Sequence, residues 1–187
     1  RGEGAALLDH LSDFAHLHMR FPGGLRSHLF ASRLNPYRER RLTVVGTKAM
    51  AVFDDVEPDP LVTTAERCAE FARSISPDLV VGLGGGSAMD VAKAVSAILG
   101  NEVPLDQMWG TENIPRPGLP MILMPTTAGT GSEVTPNSIM TDTKPDGSHM
   151  KKGIVSPFIL AKAAIVDPLL TVTAPPGITA STGMDAL

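Results

Sequence analysis

Four runs of this sequence carry residues able to hold a phosphorylated or metal-bound ligand. The first is Gly84-Gly85-Gly86-Ser87-Ala88-Met89-Asp90, placed between an apolar strand and an amphipathic helix. A turn without Cβ atoms lets a ligand approach the main chain. The first amides of the helix have no intrahelical partner, and the helix dipole adds partial positive charge there. Together they make a pyrophosphate site that needs no lysine or arginine. The spacing departs from G-x-G-x-x-G, because Gly82-Leu83-Gly84 is followed by Ser87 where a third glycine would stand. The same run also reads as a plain tight turn, with Ser87 as helix N-cap and Asp90 closing a capping box.

The second run is Pro125-Thr126-Thr127-Ala128-Gly129-Thr130-Gly131-Ser132-Glu133, which follows the apolar strand Met121–Met124. Its four hydroxyls and two glycines suit ribose, phosphate and carboxamide groups. Open α/β sheets bind ligands at this carboxyl edge; a Ser/Thr-rich connecting loop is the alternative. The third run, Lys151–Pro157, offers Lys151 to a phosphate or ribose oxygen, or else shows only a solvated lysine pair. The fourth, Thr179–Leu187, places Asp185 in what reads as the first turn of a new helix. There it either compensates the dipole or ligates a metal.

The elements that must position these runs are legible from residue 51 onward. Thr63–Ser74 predicts a helix, with Ala65, Cys68, Ala69 and Ala72 on one face and Thr63 with Glu66 at capping-box spacing. Leu79–Leu83 predicts a strand buried on both faces. Ser87 opens a helix with Val91, Ala92, Val95, Ile98 and Leu99 on its apolar face, and Gly100 fits its stop. Met121–Met124, Ser138–Thr141, Gly153–Val155 and Ala163–Val166 are further strands, and Leu42–Val45 and Met50–Phe53 two short ones. Strands alternating with helices predict an α/β fold with a Rossmann-like, mainly parallel sheet flanked by helices. The expected organisation is an atypical segment over 1–50, a nucleotide-binding domain over 51–178, and the start of a helical domain over 179–187.

The 187 residues, 43 % apolar and 19 % charged, fit one globular domain, and 18 Gly with 16 Pro imply many tight turns. The net charge of −4 gives no reason to expect nucleic acid. Residues 1–50 are locally basic, with eight Lys/Arg against four Asp/Glu, yet lack lysine clusters and interleaved aromatics. Cys68 is the sole cysteine, so no intrachain disulfide forms, and it reads as a small buried apolar residue. Neither a signal peptide nor a bilayer-length apolar run is present, so a cytoplasmic protein without membrane contact is expected.

The runs Gly82–Val95, Met124–Thr135, Lys151–Pro157, Ala164–Thr171 and Thr179–Leu187, in this order and spacing, resemble the iron-containing alcohol dehydrogenases. The resemblance covers roughly Val52 to Leu187. It implies a dehydroquinate synthase-like N-terminal α/β domain, followed by a helical metal-binding domain, with hydride transfer between an alcohol or aldehyde and NAD or NADP. A divalent metal, iron or zinc, would polarise the oxygen. By that resemblance Gly85, Gly86 and Ser87 hold the pyrophosphate and Asp90 lies near the nicotinamide. Thr126, Thr127, Thr130 and Ser132 line the cofactor path, Lys151 touches the nicotinamide ribose, and Asp185 is the first metal ligand. A small alcohol or aldehyde is the implied partner, with a homodimer left open.

Two departures from the family pattern follow. The histidine expected four residues after Asp185 lies past Leu187, as do two later ones, so a fragment with no turnover of its own is expected. Residues 5–48 lack the family's first strand and its cofactor-selecting aspartate, which points to a local reading-frame disruption. A non-catalytic dinucleotide-binding module and a maleylacetate reductase-like enzyme are the alternatives.

Overall fold

The computed structural model describes residues 2–5, 14–20, 26–32, 41–45, 50–101 and 103–187. Its elements are β1 (Gly2–Ala5), β2 (Phe14–Arg20), β3 (Arg26–Ser32), β4 (Arg41–Val45), β5 (Met50–Phe53), α1 (Val62–Arg73), β6 (Leu79–Gly84) and α2 (Gly86–Gly100). After these come β7 (Gly110–Thr111), β8 (Met121–Pro125), β9 (Asn137–Thr143), β10 (His149–Val155), β11 (Ala163–Ala164) and α3 (Pro176–Met184). No helix among the described residues is long and apolar enough to cross a membrane.

The central sheet has the order β11-β8-β6-β4-β5. β6, β8 and β11 run parallel, β4 lies antiparallel to β6, and β5 antiparallel to β4. Four of the five strands therefore share one direction, as the expected mainly parallel sheet requires, and β4 is inverted. Only four residues separate β4 from β5 in the sequence. That is too few for the crossover parallel neighbours need.

β6 is central, and all six of its residues are buried. On one face Leu42, Val80 and Leu123 join α1 and α2 in the main core; on the other, Leu79, Val81, Leu83 and Met124 meet Ile122, Ile165 and Leu170. Gly82 sets the spacing between sheet and helix. A Cβ there would stand 2.7 Å from Leu123 Cδ2 and 2.8 Å from Ala92 Cβ. α2 is buried well beyond its predicted apolar face, through Ala88, Met89, Val91–Ile98. The β9–β10 hairpin covers its far side, with β10 also pairing β7.

Several local expectations are corrected. α1 begins at Val62, with Leu61 as N-cap and no side-chain cap from within. Instead the Glu57 carboxylate accepts from the Leu61 amide and the Thr64 hydroxyl, both at 2.7 Å. It satisfies the helix start from outside, so Thr63 and Glu66 form no capping box. α2 starts at Gly86, with Gly85 rather than Ser87 as N-cap. Its other end is closed by side chains: Arg116 Nε donates to the Gly100 carbonyl and Asn101 Nδ2 to the Ala97 carbonyl. Gly100 is needed for contact with Gly118, whose Cα would lie 2.6 Å from an added Cβ.

In the N-terminal segment β1, β2 and β3 pair as an antiparallel sheet with Leu17 opposite Leu29 and Ala15 opposite Ala31. The alternation Ala15, Leu17, Met19 is the signal for it. Much of the rest of the 5–48 expectation lies outside the described residues. Cys68 is fully buried, as its helix position predicts.

Candidate functional site

The two glycine-bearing loops meet at the carboxyl edge of the sheet because β6 and β8 are parallel neighbours in register, Gly84 opposite Pro125. The Gly84 carbonyl accepts from the Thr126 amide at 2.9 Å. A Cβ on Gly85 would lie 3.2 Å from Thr127 Oγ1, and one on Gly86 3.5 Å from Thr130 Cγ2. Gly85 and Gly86 thus face Thr127 and Thr130, with half-buried Ser87 and Thr126 next to them in the chain; the space between the two loops is the candidate cleft.

The start of α2 and the second loop leave hydrogen-bond donors unused. Among the described residues no side chain caps the start of α2, so its first amides are left without an intrahelical or side-chain partner. The buried Thr127 hydroxyl likewise has no hydrogen-bond partner among the described residues. An unsatisfied buried hydroxyl is costly, and a phosphate oxygen at this place would relieve it. The glycine cradle, the uncapped helix start and the orphaned hydroxyl fit a dinucleotide pyrophosphate.

Asp90 and Ser132 face inward rather than into open space. Asp90 Oδ1 accepts from the Ser132 hydroxyl at 2.8 Å, and Oδ2 from the Ile139 amide at 3.2 Å. Asp90 therefore makes no capping box. Burial raises the Asp90 carboxyl, against the Ser132 bond and the Lys93 charge, which lower it. Lys151 is exposed and paired with Asp59 at 2.7 Å, while Lys152 pairs with Asp142 and lies over the Trp109 ring.

Asp185 is the C-cap of α3, an exposed carboxylate at the end of the helix and not in its first turn. The helix starts earlier than expected, at Pro176, because proline is preorganised for the first helical position. Gly129, at φ +93°, lies so close to α3 that a Cβ would stand 1.7 Å from the Thr182 carbonyl oxygen. The second loop thereby carries the helix that ends at Asp185. Among the described residues no group of three or more His, Cys, Asp or Glu is arranged to hold a metal ion. The described residues do not by themselves make a metal centre.

Sequence reading missed Lys93. Its side chain is fully buried, donating to Ser132 Oγ at 2.8 Å and to the Asn137 carbonyl at 2.7 Å, with Asp90 Oδ1 at 3.8 Å. Burial pushes its ammonium down to about 8, against the opposing pull of Asp90 and Glu133. The available signal was an Asp–Lys pair three residues apart in a helix otherwise apolar around most of its circumference.

The family described as iron-containing alcohol dehydrogenase matches residues 32–168. The chain belongs to that family.

Among curated relatives, sulfoacetaldehyde reductase of Bilophila wadsworthia is 42 % identical over 148 residues, covering 79 % of this chain and 37 % of the relative. Long-chain-alcohol dehydrogenase 1 of Geobacillus thermodenitrificans is 44 % identical over 139 residues, covering 73 % and 34 %. Among solved structures, sulfoacetaldehyde reductase from Bifidobacterium kashiwanohense in complex with NAD+ is 48 % identical, with TM-score 0.65, covering 71 % of this chain and 35 % of that one. The chain spans about a third of the length of these iron-containing alcohol dehydrogenase relatives. The family match starts inside the segment that sequence patterning marks as atypical.

Proposed function

We propose that this chain is the dinucleotide-binding portion of an NAD(P)-dependent alcohol dehydrogenase, acting between a primary alcohol and its aldehyde. The observation that carries this reading is the meeting of Gly85 and Gly86 with Thr127 and Thr130 around the uncapped start of α2. The names of the relatives, which are alcohol dehydrogenases and aldehyde reductases, support the same chemistry.

In this reading the amides of Gly86 and Ser87 donate to the pyrophosphate, and the Thr127 hydroxyl donates to one of its oxygens. Gly85 keeps the space between them free of a side chain. The dinucleotide, when bound, supplies the hydride acceptor. Asp90, Ser132 and Lys93 hold the two loops together behind the cleft. Asp185 is the residue by which this portion would contribute to the family's metal. Catalysis in this reading belongs to the family's whole length.

The test is calorimetric titration of the 187-residue chain with NAD+ and NADP+, beside Gly85→Val. The reading expects a dissociation constant below about 1 mM for at least one dinucleotide, and loss of about tenfold or more in the variant. Absence of binding, or equal binding by Gly85→Val, would count against it.

A further inference from the structure

We propose that Lys93 is a positioning residue: its buried ammonium group fixes the Ser132 turn and the start of β9 against α2. It thereby sets the gap between Gly85–Gly86 and Thr127–Thr130. The loop-fixing part stands on geometry alone; its consequence for dinucleotide binding rests on the function proposed above.

A fully buried ammonium group is expensive unless it is paired and hydrogen-bonded. A side chain needed only to fill space under the hairpin would be apolar. Lys93 instead reaches across to two acceptors, Ser132 Oγ and the Asn137 carbonyl, and both lie in the stretch that leaves the second loop. Ser132 passes the contact on by donating to Asp90 Oδ1, one turn nearer the start of α2. The acidic groups facing the ammonium are Asp90 from α2 and Glu133 from the turn after Gly131.

The upstream end of the same stretch is tied down separately, by the Thr126 amide on the Gly84 carbonyl. Residues 126–137 are therefore held at both ends. One anchor is a backbone bond between parallel strands, and the other is a side-chain clamp centred on Lys93. Between them lie Gly129 and Gly131, both at positive φ, and Thr127 and Thr130, whose side chains close on the glycine turn. Releasing Lys93 removes two of the downstream bonds and leaves that end to Asp90, which still accepts from Ser132 and the Ile139 amide.

The test is hydrogen–deuterium exchange on the ligand-free chain, comparing Lys93→Met and Ser132→Ala with the original sequence. Exchange over residues 126–139 is expected to rise about tenfold or more in Lys93→Met, and less in Ser132→Ala, with α1 unchanged. Ser132→Ala decides the matter if Lys93→Met does not fold. Unchanged exchange over 126–139 in a folded variant, or a uniform rise across the chain, overturns the proposal. A double-mutant cycle on NAD+ affinity between Lys93→Met and Thr127→Val adds a readout that simple destabilisation would not move. Non-additivity of about fivefold or more is expected, and strict additivity overturns the link to the cleft. Failure of the original chain to bind any dinucleotide would remove the proposed function and the cleft link, while the exchange result still judges the clamp.

Discussion

The Gly84 carbonyl and the Thr126 amide are hydrogen-bonded across 2.9 Å, joining the exits of two parallel strands. Everything at the cleft is built outward from that bond. It places Gly85 opposite Thr127, where a small increase in side-chain size is felt at once. Gly85→Val should therefore lower dinucleotide affinity by about tenfold or more. Its thermal midpoint should change little, because Gly85 is only half-buried at the mouth of the cleft. Titration and a melting curve on the same sample check both halves of this expectation.

Gly82 makes the opposite demand. An added methyl would press on Leu123 and Ala92 at under 3 Å, deep between β6 and α2. Gly82→Ala should cost about 1–3 kcal/mol by overpacking, read as a lower urea midpoint with an unchanged slope.

Gly129 couples the second loop to α3. At φ +93°, with the Thr182 carbonyl in the way, Gly129→Ala combines backbone strain with a collision. Stability should fall by about 1–3 kcal/mol. Proteolysis within 176–187 should become faster, which a time course followed by mass spectrometry would show.

Lys93 makes stability depend on pH with a definite sign. Burial holds its folded-state value at about 8, against 10.5 ordinarily. Between those two values the unfolded chain carries more protons than the folded one, so stability from this group rises with pH. Below about 8 both states are charged and the burial cost is borne in full. Urea unfolding at pH 7.5 and pH 10 should show the rise in the original chain. Lys93→Met should lack that contribution, other titrations cancelling in the comparison.

Cys68 should be inert. Burial pushes its thiol up to about 12, and its side chain has no exposure. A thiol reagent at neutral pH should label it only as fast as the chain opens, and urea should make labelling immediate.

The parts of this account legible in the sequence are those fixed by neighbours in the chain. β6, β8, both glycine loops and the helix after Gly86 follow from apolar runs and breakers within a few residues. What was illegible depends on partners far away. Lys93 shows only its spacing from Asp90 in the sequence, while the partners that hold it, Ser132 and Asn137, lie 39 and 44 residues further on. The cap of α1 comes from Glu57, outside the helix, so Thr63 with Glu66 imitated a signal that the fold does not use. The antiparallel pairing of β4 with β5 follows from their four-residue connection, whereas its pairing with β6 joins stretches more than 30 residues apart. β2 shows the alternation Ala15, Leu17, Met19 against His16 and His18, but its pairing with β3 joins separate stretches of the chain.

The most direct test of the two-loop cleft is hydrogen–deuterium exchange of the 187-residue chain with and without saturating NAD+. The account predicts simultaneous protection of residues 84–90 and 126–132, and none in β1–β3. Protection confined to one of the two loops, or located elsewhere in the chain, would contradict it.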